Sequence, residues 1–187
     1  MKSSSSITSM RNKEIRLNEG KTYCETYCSL SMPEPKAEQI GNMISEVLAK
    51  MVSDNAGCCP PKSLFHSKVV PGISIQKYLE RLTRASRCSS ETYLLALIYI
   101  DRYLEKQDCQ ALIDKNVHKL YFISLVIAAK FNDDLKLANS AFAHIGGMNK
   151  SDLCILEVQF LRAIEFNVYV SSAEYVTYLR SVAEFGT

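Results

Sequence analysis

The stretch Leu120-Tyr-Phe-Ile-Ser-Leu-Val-Ile-Ala-Ala129 is apolar on nearly every face a helix could present. In water such a helix has no side on which it is stable, so other elements must enclose it. The rest of the sequence offers those elements as helices: strand alternation of useful length is absent and no repeat period is visible. An all-α single domain built around that one segment is the expected fold. At 187 residues there is room for one ordinary domain with tails, and not for two large ones.

Recurring apolar positions mark the helices. From Lys36, the residues Ile40, Met43, Ile44, Val47, Leu48 and Met51 return every three or four places, giving an amino-terminal helix to about Ser53. Asn55-Ala-Gly-Cys-Cys-Pro-Pro61 then breaks regular structure and reads as a linker. Six further helices follow. The first begins at Ser74, a good N-cap, with Ile75, Tyr78, Leu79 and Leu82 on one side; the second runs from Ser89 or Ser90 to about Lys106. The enclosed third extends from about Asn116 to Phe131, and a short fourth from Asn139 to Ile145 ends at Gly146-Gly147, where backbone freedom permits a sharp exit. Asn149 or Ser151 caps a fifth that reaches about Glu165, and a last amphipathic helix spans Ser172 to Phe185. The expected organisation is a flexible tail over residues 1–34, rich in Ser, Lys, Glu and Asn, then a helix and linker over 35–61, then the five-helix domain with its carboxy-terminal helix over 62–187.

Lys plus Arg number 22 against 20 Asp plus Glu, which gives no large attraction to nucleic acid or to an acidic membrane. The longest strongly apolar run is well short of the roughly 18–20 residues a membrane span needs. The first residues lack the apolar core of a signal peptide, so an intracellular location, in nucleus, cytoplasm or both, is expected. Seven irregularly spaced cysteines with no CxxC read as free thiols, and His66, His118 and His144 complete no metal set. Neither His118 nor His144 has a nucleophile or carboxylate nearby in sequence that would define a catalytic group, so capping or core roles are expected. Gly146-Gly147 is too short for a phosphate loop and is a turn.

One charged residue stands out. Glu157 falls within the apolar stripe Leu153, Leu156, Phe160, Leu161 and Ile164, where an ionised group is costly unless it is paired or hydrogen-bonded. Something must satisfy it. Lys130 closes the nearly all-apolar third helix, where its charge complements the free carbonyls of the helix end.

Several segments together resemble one family. Tyr99-Ile-Asp-Arg-Tyr-Leu104 resembles the Tyr-Ile-Asp-Arg-Phe-Leu element of the cyclin box, and Ala128-Ala-Lys-Phe-Asn-Asp-Asp134 resembles the end of that box's third helix. Asn116-Val-His118, Val70-Pro-Gly-Ile-Ser-Ile75 and Gly146-Gly147 followed by Leu153 to Leu161 are similar to the P/U, phosphate-signalling class in particular. The resemblance covers about Phe65 to Val170, and five helices around a buried third is the cyclin-box layout. It implies a regulatory subunit without cofactor or chemistry of its own. Such a subunit presents the third and fifth helices to the mobile αC helix of a cyclin-dependent protein kinase, whose Glu must pair with the ATP-holding Lys before phosphoryl transfer is efficient.

On that resemblance Lys130 and Glu157 match the Lys and Glu that meet the backbone beside αC. Phe131, Leu120, Phe122, Leu153 and Leu156 are candidates for the apolar part of the contact, with core packing as the other role open to each. Ile40, Met43 and Ile44 could dock on the box or on the kinase. Asp101, Gly146 and Gly147 are structural candidates. In many cyclins the counterpart of Asp101 pairs with an Arg at the start of the first helix; here Gly72 stands there, which leaves Arg81, Lys77 or a helix N-terminus, and argues against a docking groove of the Arg-x-Leu kind. The expected partner is thus a cyclin-dependent kinase, with no nucleic acid and no membrane, the chain being monomeric without it. A kinase-independent cyclin-fold adaptor is the second class, and an enzyme would need a polar cleft of convergent groups that these motifs do not supply.

Overall fold

The computed structural model describes residues 35–107, 111–134 and 137–185. Among them are seven helices and no strand: α1 (Ala37–Asp54), α2 (Ile75–Ser86), α3 (Ser90–Lys106), α4 (Val117–Asn132), α5 (Asn139–Gly146), α6 (Lys150–Ala163) and α7 (Ser172–Phe185). The tail expected over residues 1–34, with Cys24 and Cys28, and also Cys109, lie outside the described residues.

The apolar run of α4 is buried from residue 120 to residue 129 without a break, as its composition demands. Its long neighbour is α3, and the two lie against each other along their length while α6 and α2 close over α4. The helix α3 proves equally enclosed: every residue from 92 to 103 is buried, and α1, α4, α6 and α7 all pack on it. Its polar residues concealed this in the sequence, and each has a partner that makes burial tolerable. Thr92 Oγ1 donates to Asp133 Oδ1 at 2.7 Å. Arg102 Nη1 donates to the Asn167 carbonyl at 2.7 Å, and its Nη2 bridges both oxygens of Glu174 at 3.0 and 2.9 Å.

Asp101 is wholly buried, and one group facing it is not among those the sequence offered. Tyr178 of α7 donates its hydroxyl to Asp101 Oδ2, while Arg81 and Lys77 are placed elsewhere. The physical reason is placement: α7 packs on α3, whereas Arg81 is engaged at the end of α5, donating from Nε to the Ile145 carbonyl at 3.0 Å, and Lys77 is exposed. The helix α1 belongs to the same core. Ile40, Ile44, Val47, Leu48 and Met51 are buried there, with Met43 packed at its edge, so these residues dock on the box itself. The linker is anchored by Phe65, whose ring stands edge-on to Tyr103 at 5.3 Å and to Phe160 at 5.9 Å. Cys58, Cys59, Cys88 and Cys154 are free thiols, and burial pushes Cys88 up to about 12.

Asn149 holds the N-cap position of α6 without a capping hydrogen bond from its side chain, while Ser74 and the glycine pair act where the sequence placed them. Ser74 Oγ accepts from the Lys77 amide at 3.3 Å and caps α2. At the end of α5 the two glycines have different tasks. Gly147 takes the left-handed conformation, φ +70°, as the C-cap. Gly146 is needed for space: a Cβ there would stand 2.3 Å from the ring of Phe122, a side chain of the buried α4. Gly146→Ala should therefore destabilise the fold by about 1–3 kcal/mol through overpacking, read as a fall in the denaturant midpoint. Gly72→Ala, whose Cβ meets nothing within 4 Å, should leave that midpoint nearly unchanged.

Candidate functional site

The last turn of α4 is fixed from outside the helix. Asp133, its C-cap residue, accepts from Ser89 Oγ at 2.6 Å and from Thr92 Oγ1 at 2.7 Å, both at the start of α3. A carboxylate at a helix N-terminus is favourable, and here one side chain joins the start of α3 to the end of α4 that carries Lys130 and Phe131.

From this fixed end Lys130 reaches α6, where its ammonium donates to Glu157 Oε1. The Glu157 side chain is 11% exposed and that of Lys130 is 34% exposed, so the pair sits at the rim of the core and not inside it. The other carboxylate oxygen, Oε2, accepts from Asn139 Nδ2 at 3.0 Å. The demand of a carboxylate in an apolar stripe is thus answered by two donors from two other helices. An ammonium has three donors and a carboxylate about four acceptor positions, so a pair held this way still has donors and acceptors for the backbone of a partner.

The apolar candidates divide. Leu120, Phe122, Leu153 and Leu156 all lie in the hydrophobic core, where they support α4 and α6 from beneath, the packing role of the two open to them. Phe131 is 56% exposed beside Lys130. On α6 and just beyond it, three further apolar residues are exposed: Ile155 at 53%, Val158 at 45% and Phe166 at 64%. Ile155 and Val158 are three apart, on the side of α6 opposite the buried stripe that holds Glu157. Their signal was available, because apolar residues out of phase with a buried stripe have no core to enter.

Phe166 arrives differently. Just beyond α6, Glu165 and Phe166 both adopt left-handed backbone, φ 55° and 56°, which costs a non-glycine residue about 1–3 kcal/mol. The helix α3 holds this turn: Tyr99 Oη donates to the Val168 carbonyl at 2.6 Å, Arg102 to the Asn167 carbonyl, and Lys106 Nζ to Glu165 Oε2 at 2.6 Å. The turn is thus held by three side chains with Phe166 exposed at its outside.

The family model for cyclins matches residues 2–168 of the chain. The chain belongs to the cyclin family. Cyclin-U4-2 of Arabidopsis thaliana is 34% identical over 80% of this cyclin and 73% of its own length. Cyclin-U1-1 of the same plant is 34% identical over 79% of the chain and 74% of its own length, and Cyclin-P4-1 of Oryza sativa subsp. japonica is 40% identical over 62% and 55%. The relatives are thus plant P/U-type cyclins, the class that residues 70–75, 116–118 and 146–147 resemble. Cyclins as a family have a regulatory role, are not enzymes, and have a protein kinase as their general partner.

Two other features of this cyclin lie away from that surface. Residues 70–76, where no Arg-x-Leu groove was expected, border a cavity of about 660 Å³ between α1, α2 and the start of α4, its lining including Ser45, Glu46, Ile73, Asp114 and His118. Among the described residues no three potential metal ligands cluster, and no helix is long and apolar enough to cross a membrane. His118 secures the edge of the cavity: its Nε2 contacts the Ile73 carbonyl at 3.0 Å as the donor, and its ring stands edge-on to Tyr78 at 5.1 Å. Burial lowers its pKa, an effect only partly offset by the Ile73 carbonyl and by Asp114. A second proton would go to Nδ1, which is buried and meets no acceptor among the described residues.

The sign of the pH effect follows. Below about pH 6.5 the unfolded chain takes up a proton on His118 that the folded chain refuses until lower pH, so stability falls as pH drops through that window. Melting followed from about pH 7.5 to pH 5 should show this decline. His118→Gln should flatten it, and an equal decline in both proteins would place the responsible proton elsewhere.

Proposed function

We propose that this cyclin binds a cyclin-dependent protein kinase and activates it by holding the kinase's αC helix in its inward position, in cell-cycle or nutrient and phosphate signalling. The observation that carries this is the Lys130–Glu157 pair, held at the rim of the core between α4 and α6, with Phe131 exposed next to Lys130 in the last turn of α4. A charged pair with unused donors and acceptors suits an exposed helix end of a partner, and the exposed apolar side chains supply the area that drives association. Lys130, Glu157 and Phe131 are the contact residues of this proposal together with Ile155, Val158 and Phe166, while Leu120, Phe122, Leu153 and Leu156 support them from the core.

The action is a population shift. A kinase whose αC helix moves between outward and inward positions is competent only in the second, where its Glu pairs with the ATP-holding Lys. A surface that binds only the inward position raises the competent fraction by its differential affinity for the two states. The cyclin carries no reacting group. We further propose that it is monomeric without its kinase, that it acts inside the cell in nucleus, cytoplasm or both, and that neither nucleic acid nor membrane is its partner, a net charge of +2 giving little attraction to either.

The test is to mix the purified chain with each cyclin-dependent kinase of its own cell and to record complex formation and phosphorylation of a generic peptide. One kinase should bind and be activated. Lys130→Glu and Glu157→Lys should each weaken that binding by about 2 kcal/mol or more, and Phe166→Ala by about 1–2 kcal/mol, with circular dichroism unchanged. Binding to no kinase would favour the cyclin-fold adaptor, and undiminished binding by all three folded variants would remove this surface from the account.

A further inference from the structure

Glu157 has two carboxylate oxygens, and the contact with Lys130 uses one of them. The second, Oε2, accepts from Asn139 Nδ2 at 3.0 Å, and the same amide nitrogen lies 3.3 Å from the Cys154 sulfur, one turn back on α6. Asn139 is the first residue of α5 and not its cap: Ala138 holds the N-cap position, and no side chain caps the helix there. The secondary structure of α5 therefore has no need of an amide at this place. The side chain is directed to Glu157 instead.

We propose that Asn139 is a positioning residue, which fixes the Glu157 carboxylate so that Lys130 is held ready in the orientation that meets the kinase. This rests on the function proposed above and adds to it a third helix, since Lys130 comes from α4, Asn139 from α5 and Glu157 from α6.

The physical need is plain. The last torsion of a glutamate is broad and roughly two-fold, so a carboxylate bonded through one oxygen swings about it. A second hydrogen bond on the other oxygen, from a different helix, removes that freedom. Lysine has more rotamer entropy to lose than most side chains, and a lysine already ordered by a fixed carboxylate loses less when a partner arrives. The donor also has to be neutral. A cation in place of Asn139 would compete with Lys130 for the carboxylate, and an acid would repel it. An amide holds the carboxylate while leaving its charge for the lysine.

The test uses the full chain, first without any kinase. In the ¹⁵N-correlated spectrum of the lysine side chains at low temperature, the Lys130 ammonium should give a resolved signal protected from solvent exchange. Asn139→Ala should lose it, as should Glu157→Gln. The second arm measures affinity for the kinase retained in the panel above. Asn139→Ala should bind about tenfold more weakly and Asn139→Asp more weakly still, while both lose some stability yet stay fully folded by circular dichroism at the assay temperature. The double variant Asn139→Ala/Glu157→Gln should bind no more weakly than Glu157→Gln alone, because the amide acts only through that carboxylate.

Unchanged affinity in Asn139→Ala, an additive loss in the double variant, or a loss matched by unfolding would each overturn the proposal. If the parent chain binds no kinase, the functional reading fails on its own. The first arm then decides Asn139 by itself, a protected Lys130 signal persisting in Asn139→Ala being the contrary result.

Discussion

The lengthwise contact between α3 and α4 is the constraint from which the rest of this structure follows. A helix apolar on all sides cannot be covered by loops, and once α4 lies on α3 both helices need cover on their remaining sides. The helices α2 and α6 close over α4, and α1 and α7 over α3. Even the space allowed is set by this pairing, since α5 reaches the ring of Phe122 only because residue 146 has no side chain. Buried polar groups on α3 then convert simple enclosure into defined positions. Thr92 draws in Asp133 and the end of α4, Asp101 faces Tyr178 of α7, and Arg102 joins Asn167 to Glu174. A buried donor or acceptor left without any partner carries a penalty of about 1–3 kcal/mol, so pairings of this kind resist rearrangement.

A frame locked in this way can hold features on its surface that would otherwise relax. The Lys130–Glu157 pair remains at the rim because Asp133 fixes one helix end and Asn139 the carboxylate. Two successive left-handed residues persist after α6 because Tyr99, Arg102 and Lys106 of α3 hold the turn around them. The stability of the buried helices is thereby coupled to the exposure of Phe131 and Phe166. In the proposed function, such a preformed surface is what would allow discrimination between two positions of a partner's helix.

Much of the frame could be read from the sequence. The run from residue 120 to 129 announced its own burial, Ser74 and Gly146-Gly147 marked helix ends, and the anomaly of Glu157 in an apolar stripe announced a partner. The parts that could not be read depend on pairings across long stretches of chain. The burial of α3 was masked because Thr92, Asp101 and Arg102 interrupt its apolar positions on different sides, and their partners are supplied by the end of α4 and by the segment that includes α7. The bond from Asn139 to Glu157 joins two helices through a turn of glycines, which spacing alone does not predict. The turn at Phe166 was illegible for another reason: nothing in Ile164-Glu-Phe-Asn167 favours positive φ, which is imposed by contacts with α3.

Hydrogen–deuterium exchange of the chain, alone and with its kinase, tests the central claim most directly. In the free chain the amides of α3 and α4 should exchange last, at rates set by global unfolding. On binding, new protection should appear at the last turn of α4, along α6 around Ile155 and Val158, and at the turn carrying Phe166, with α1 and α2 unchanged. Protection gained over α1 and α2 instead, with α6 unaffected, would show that the partner binds another face and would contradict the account.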